Sequence, residues 1–265
     1  MKDKKPLISA VSYLNTLPFL YGINHSELKD EIDFELDIPS ICASKLINNQ
    51  VDIALMPVAG IPFVNRPQII SDYCLGALKR VKTVLLFSDV PLDKIEAIFL
   101  DYQSRTSVNL VKILTHYHWK ISPRWIEAKE GFENKIQGKK AGVIIGDRTF
   151  KINKDFEYAY DLSLEWYEMT GLPFVFAAWA ANKPINEEFC FKFNQALSHG
   201  IENIDLVVDE YFSKHPNSVI DLKDYLLNNI SFYLDEAKKE SMSLFFKYMA
   251  EMKLISEPLT KKIIF

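Results

Sequence analysis

The strongest constraint on this chain is a repeated beat. Short apolar runs stop at hydroxyl- or proline-containing turns and give way to helical spacing. Leu7–Val11 reads as a strand, with a helix over Leu17–Gly22 behind it. Phe34–Ile38 is a second strand, after which Pro39–Ser40 opens a helix whose Ile41, Ala43, Leu46 and Ile47 form an apolar stripe. Val51–Met56 is a third strand, ending at Pro57. Strand, helix and strand at this interval predict βαβ units and mainly parallel sheets.

A second cycle follows. Thr83–Ser88 (TVLLFS) is nearly continuous in apolar character, as in a strand covered on both faces. Leu92–Ile95 reads as a short helix, Ala97–Leu100 as a strand and Ser104–Tyr117 as a helix, with strands at Arg124–Glu127 and Ala141–Ile145. Pro173–Ala181 (PFVFAAWAA) resembles a second crossing strand. From Asn186 onward the pattern is helical, with Phe189, Phe193 and Leu197 on one stripe and Leu244, Tyr248 and Met249 on another. The expectation is an α/β protein of two lobes joined by two crossings. Residues 1–88 and 174–265 form the first lobe and 89–173 the second, with a ligand cleft between them. No Gly-, Ser- or Pro-rich linker separates the halves.

Charge narrows the partners. Thirty-one basic against 35 acidic residues give a net charge of −4, which argues against nucleic acid. No run approaches the roughly 20 apolar residues of a membrane span, and no secretory apolar region follows the first lysines, so a cytoplasmic setting is expected. Cys42, Cys74 and Cys190 are odd in number and lack CxxC spacing, which predicts free buried thiols and no metal site. His116 and His118 flank Tyr117 near a helix end and read as surface residues. GxSxG, HExxH, P-loop and GxGxxG motifs are all absent. A small molecule remains as the expected partner.

Ligands of open α/β sheets bind beyond the carboxyl ends of the strands. The polar residues there are Ser12, Tyr13, Asn15 and Thr16 in VSYLNTLPFLYGI, then Ser40, and Ser104, Arg105, Thr106 and Ser107. Pro57, Gly146, Asp147 and Arg148 complete the set. Several of these turns open helices, whose first N–H groups are unpaired and carry partial positive charge. Each residue also has a plainer reading. Ser104 caps a helix, Asn15 bonds its own backbone, and Thr83 suits a strand. Three hydroxyls around one arginine nevertheless exceed what capping requires, and arginine pairs with a carboxylate in bidentate fashion. The residues alone therefore describe a two-lobed carboxylate binder, either an enzyme or a solute receptor.

VSYLNTLPFLYGI (11–23), DIPSICASKL (37–46), VDIALMPVAGIP (51–62) and LDYQSRTSVNL (100–110) continue with IGDRTF (145–150) and DLSLEWYEMTGLPFVFAAWAANK (161–183). Through these stretches the chain resembles the chorismate dehydratase family, which acts early in the futalosine route to menaquinone. The resemblance implies the two-lobed fold of type II periplasmic binding proteins. It also implies loss of water from chorismate to give 3-[(1-carboxyvinyl)oxy]benzoate, with no redox cofactor or metal. Asn15 and Thr83 are then expected to contact the reacting region, and Arg105, Thr106 and Ser107, with Ser40, to clamp the carboxylates. Tyr13 is expected to wall the ring. Thr83 stands where some members of the family carry serine, which keeps the hydroxyl and adds a methyl. A sister enzyme of the same route, dihydroxynaphthoate synthase, is expected to carry a cleft histidine that IGDRTF lacks. A solute receptor of this fold requires an export signal or lipid anchor.

Overall fold

The computed structural model describes residues 5–255 and 263. Its strands in chain order are β1 (Leu7–Val11), β2 (Asp33–Asp37), β3 (Ile53–Pro57), β4 (Gln68–Ala77), β5 (Val84–Ser88) and β6 (Ala97–Leu100). They continue as β7 (Arg124–Glu127), β8 (Lys140–Ile145), β9 (Tyr158–Asp161), β10 (Phe174–Ala181) and β11 (Ser231–Tyr233). Helices α1 (Leu17–Asn24), α2 (Pro39–Ile47), α3 (Thr106–Ile113) and α4 (Leu162–Thr170) lie among the strands. After β10 come α5 (Glu187–Glu202), α6 (Ile204–Lys214), the short α7 (Leu222–Asp224) and α8 (Glu236–Glu251). A π turn, Tyr225–Asn229, extends α7. The helical pattern expected through residue 265 lies outside the described residues beyond 255, save at Ile263.

Two sheets result, ordered β11-β4-β10-β3-β1-β2 and β7-β6-β8-β5-β9. They are mixed rather than mainly parallel. β1 is parallel to β2 and β3, and β6 to β7 and β8, as the βαβ rhythm requires. The strands that carry the chain between lobes run the other way: β10 is antiparallel to β3 and β4, and β5 to β8 and β9. β5 thus lies in the second sheet, although the expected boundary at residue 88 keeps it with the first half. The strands β4, β9 and β11 were not anticipated. Ser71 and Asp72 interrupt the apolar run of β4, and Asn194 of α5 satisfies them there, accepting the Ser71 hydroxyl at 2.7 Å and the Asp72 N–H at 3.0 Å.

The first sheet is buried by helix packing. β3 is buried at every residue, and Trp179 of β10 is covered edge-on by Phe19 of α1 and Phe193 of α5 at 5.7 and 4.9 Å. α1 and α5 touch backbone to backbone at two glycines. A Cβ on Gly22 would stand 1.8 Å from the Ala196 carbonyl oxygen, and one on Gly200 would stand 1.6 Å from that of Pro18. This contact fixes α1, and with it the polar turn that precedes it.

One side chain ties the first crossing to the end of β9 and the start of α4. Asp161, buried at the end of β9, accepts the N–H groups of Val81 and Lys82 on the first crossing at 3.0 and 2.8 Å. Its other oxygen caps α4 through Ser163 and Leu164 at 3.1 and 3.2 Å. Cys42, Cys74 and Cys190 are free; the first two are buried, whereas Cys190 is half-buried. No helix among the described residues is long and apolar enough to cross a membrane.

Candidate active site

A cleft lies between the two sheets. It is built where the sequence places it, beyond the carboxyl ends of β1, β3, β6 and β8. Tyr13, Asn15 and Pro57 line it from the first lobe, and Ser104, Thr106, Ser107 and Gly146 from the second. Thr83 faces it from the first crossing. Val11, Val84, Ile145, Phe176 and Ile230 form apolar walls.

Several expected residues take other positions. Arg105 is exposed and lies outside the cleft lining. It sits at the cap of α3, and successive helical side chains diverge by about 100°, so turning Ser104, Thr106 and Ser107 inward sends Arg105 out. Ser12 is exposed and uses its N–H on the Asp37 carbonyl at 2.9 Å. Ser40 likewise spends its N–H on the Gln103 carbonyl at 3.1 Å rather than on the cleft. Asp147 lies beside the cleft, where both carboxylate oxygens accept the Leu14 N–H at 3.2 Å. With only that donor and Lys151 to offset burial, its pKa is pushed up to about 6.

Hydroxyls and backbone groups supply the polar lining. The Ser104 hydroxyl caps α3 by accepting the Ser107 N–H at 2.9 Å and donates to Ser107 Oγ at 3.0 Å. The Thr106 hydroxyl accepts the Ala59 N–H at 3.2 Å and donates to the Phe176 carbonyl at 3.1 Å, which seats α3 against the first sheet. Tyr13 donates its phenol proton to Gln103 Oε1 across the cleft, and burial raises its pKa. Gly146 adopts φ +64°, the left-handed region, and gives its N–H to the Thr83 carbonyl at 2.8 Å. The Tyr13 ring packs directly on it.

No side chain in the lining carries a charge among the described residues. The nearby Arg148 is engaged elsewhere, on Asp101 and on Glu133 at 2.8 Å. Sequence reasoning missed Gln103, whose side chain and carbonyl both meet the opposite lobe, and Tyr225, whose phenol lies 2.9 Å from Thr83 Oγ1. Gln103 sits within the quoted LDYQSRTS, so its position beside the serine cluster was a usable signal. Tyr225 offers no such local signal. Among the described residues, His118, Glu165 and Glu168 bring potential metal-ligand atoms within 4.8 Å of one another. Glu165 already accepts the Trp119 indole N–H at 2.6 Å, and the group is not part of the cleft.

The family model described as menaquinone biosynthesis matches residues 6–251. The chain belongs to this family. Two curated relatives are similar to this family member along much of its length. The chorismate dehydratase of Campylobacter jejuni is 26% identical over 87% of this chain and 87% of its own. That of Thermus thermophilus is 26% identical over 67% of this chain and 71% of its own. Solved structures show the fold of this menaquinone-biosynthesis member. A protein from Archaeoglobus fulgidus superposes with a TM-score of 0.70 at 14% identity, covering 96% of this chain and 100% of that one. A Candida albicans gene product described as having the generic periplasmic binding protein fold gives 0.63 at 11% identity, covering 98% and 94%.

Proposed function

We propose that this protein is a chorismate dehydratase that forms 3-[(1-carboxyvinyl)oxy]benzoate and water from chorismate, on the futalosine route to menaquinone and in the cytoplasm. The observation that carries the reading is the cleft itself. Asn15 and Thr83 both line it, in a chain whose relatives are named for that reaction.

The reaction breaks the C3–H and C4–O bonds of the substrate ring. The C3 proton is vinylogous to the ring carboxylate, so its removal spreads charge onto that carboxylate, and departure of the C4 hydroxyl completes an aromatic ring. The energetic pull toward aromaticity is large, so the protein has chiefly to orient the substrate and to stabilise charge as it develops. Asn15 and Thr83 are assigned to the reacting region, with the Thr83 hydroxyl available to the departing oxygen. The hydroxyls of Ser104 and Ser107 at the start of α3 are assigned to a carboxylate, since a helix N-terminus favours negative charge. Tyr13 is assigned to the ring face. No histidine, aspartate or glutamate lines the cleft among the described residues, so the enolpyruvyl carboxylate of the substrate is assigned as the acceptor of the C3 proton. It passes that proton on to the hydroxide leaving C4, to give water and regenerate the carboxylate, while Thr83 only hydrogen-bonds the departing oxygen.

The test is product identification after mixing the purified protein with chorismate. An aromatic product is expected without added cofactor, and chorismate that stays intact beside stoichiometric protein overturns the reading. Asn15→Ala and Thr83→Ala should each lower kcat by more than about tenfold, toward the roughly 10²- to 10³-fold effect of losing a donor at developing charge. Wild-type rates in both variants would refute the site assignment while leaving the reaction in place.

A further inference from the structure

The phenol of Tyr225 is a buried hydrogen-bonding group in contact with Thr83, one of the two residues assigned to the reacting region. Tyr225 is buried at the start of the π turn, its ring edge-on to Phe150 of the second lobe at 5.3 Å. π turns inside helical segments occur often at functional sites. Its oxygen lies 2.9 Å from Thr83 Oγ1. Tyr225 itself does not line the cleft.

The direction of this bond follows from its neighbour. The Thr83 hydroxyl donates to the Val81 carbonyl at 3.4 Å. A threonine hydroxyl and a phenol each have one proton to give, so Tyr225 donates to Thr83 Oγ1. The Val81 contact is long, which leaves the Thr83 proton free to turn to an oxygen departing in the cleft that Thr83 lines. Were the bond reversed, Thr83 would spend its proton on Tyr225 and have none for a departing hydroxyl.

We propose that Tyr225 is a positioning residue: its phenol donates to Thr83 Oγ1 and so leaves the Thr83 hydroxyl proton for the cleft. This rests on the proposed dehydration. Each donor in a chain of hydrogen bonds polarises the next, so Tyr225 makes Thr83 a stronger donor at the moment the C4–O bond breaks. The contribution appears in kcat and not in substrate affinity, because it strengthens only as charge forms on the leaving oxygen.

The experiment compares wild type, Tyr225→Phe, Thr83→Ala and the double variant with chorismate, together with the Thr83 methyl resonance and its χ1 coupling in each folded protein that retains Thr83. Phenylalanine keeps the ring against Phe150 and removes only the oxygen. Tyr225→Phe should lower kcat roughly tenfold, less than the loss of a donor that touches the reacting atoms, with KM within about twofold. Once Thr83 is alanine, removing the phenol should change kcat no further, because the phenol acts through that hydroxyl. A wild-type kcat in Tyr225→Phe overturns the proposal, and so does a loss that multiplies in full with that of Thr83→Ala. Should wild type leave chorismate intact, the dehydratase reading falls and the resonance decides for Tyr225. A shifted Thr83 methyl with averaged χ1 coupling in Tyr225→Phe supports the positioning role, and an unchanged one overturns it.

Discussion

Gly146→Ala separates backbone strain from closure of the cleft. Gly146 sits at φ +64°, where an L-residue costs about 1–2 kcal/mol. That strain lies within the second lobe and is present whether or not the lobes meet. The added Cβ has a second effect. It would stand 2.7 Å from Tyr13 Cε2 and 2.8 Å from Cζ on the opposite lobe, against an ordinary carbon contact of roughly 3.5–4 Å. Tyr13 cannot swing aside without giving up its bond to Gln103. Relief requires either that loss or a wider cleft. At about 1–3 kcal/mol for overpacking, and 1.4 kcal/mol per tenfold, kcat/KM should fall by roughly 5- to 150-fold.

Gly138→Ala is the matched control. Its φ is +58°, and nothing lies within 4 Å of the added Cβ. It carries the same kind of strain with no contact across the cleft. Both variants should lose about 1–2 kcal/mol in urea unfolding, whereas only Gly146→Ala should lose catalytic efficiency. Its small-angle scattering profile with bound product should also be more open than that of wild type. Equal kcat/KM in Gly146→Ala and wild type would refute the view that the Tyr13 ring and the Gly146 turn meet during turnover.

Asp147 predicts a pH dependence of stability. Its folded pKa of about 6, raised by burial, exceeds the unfolded value near 3.8. The folded state therefore holds more protons in between, so this group's contribution is complete below about pH 4 and is lost as pH rises through 6. Asp147→Asn keeps an acceptor for the Leu14 N–H, and its Tm advantage over wild type should grow from pH 4 to pH 7; a constant difference would refute the assignment. Asp161→Ala removes the acceptor of four backbone N–H groups at once. Counting about 1 kcal/mol for the helix cap and about 1–3 kcal/mol for the buried Val81 N–H left without an acceptor, the variant should lose roughly 2–4 kcal/mol in urea unfolding, and a loss under 1 kcal/mol would show that the first crossing is held otherwise.

The legible parts of the fold were those written locally. β1, β3, β6 and β8 end at polar turns within a residue or two of where periodicity puts them, and the cleft forms at those ends. β4 was hidden because Ser71 and Asp72 are satisfied by Asn194, more than a hundred residues away. The sense of the sheets was misjudged for a related reason: crossing strands pair with partners the local pattern does not name. Arg105 shows the converse failure. Residue type alone favoured it as an anion clamp, but adjacency to three inward hydroxyls on one helix start dictates that it points away. Tyr225 lies 142 residues from Thr83, so only the folded chain brings the two together.

The uncharged lining bears on which group takes the proton. An arginine against the enolpyruvyl carboxylate would lower its pKa by about 1–3 units and weaken it as a base. Neutral hydroxyls and a helix start hold the anion with a smaller effect, and removal from water acts in the opposite sense. Asp147, beside the cleft, shows the sense of burial, which outweighs its Leu14 N–H donor and the nearby Lys151 and lifts its pKa to about 6. A substrate carboxylate taken out of water against an uncharged lining would gain basicity in the same sense. The exposed position of Arg105, unexpected for an anion site, is thus what the proposed substrate-assisted elimination requires.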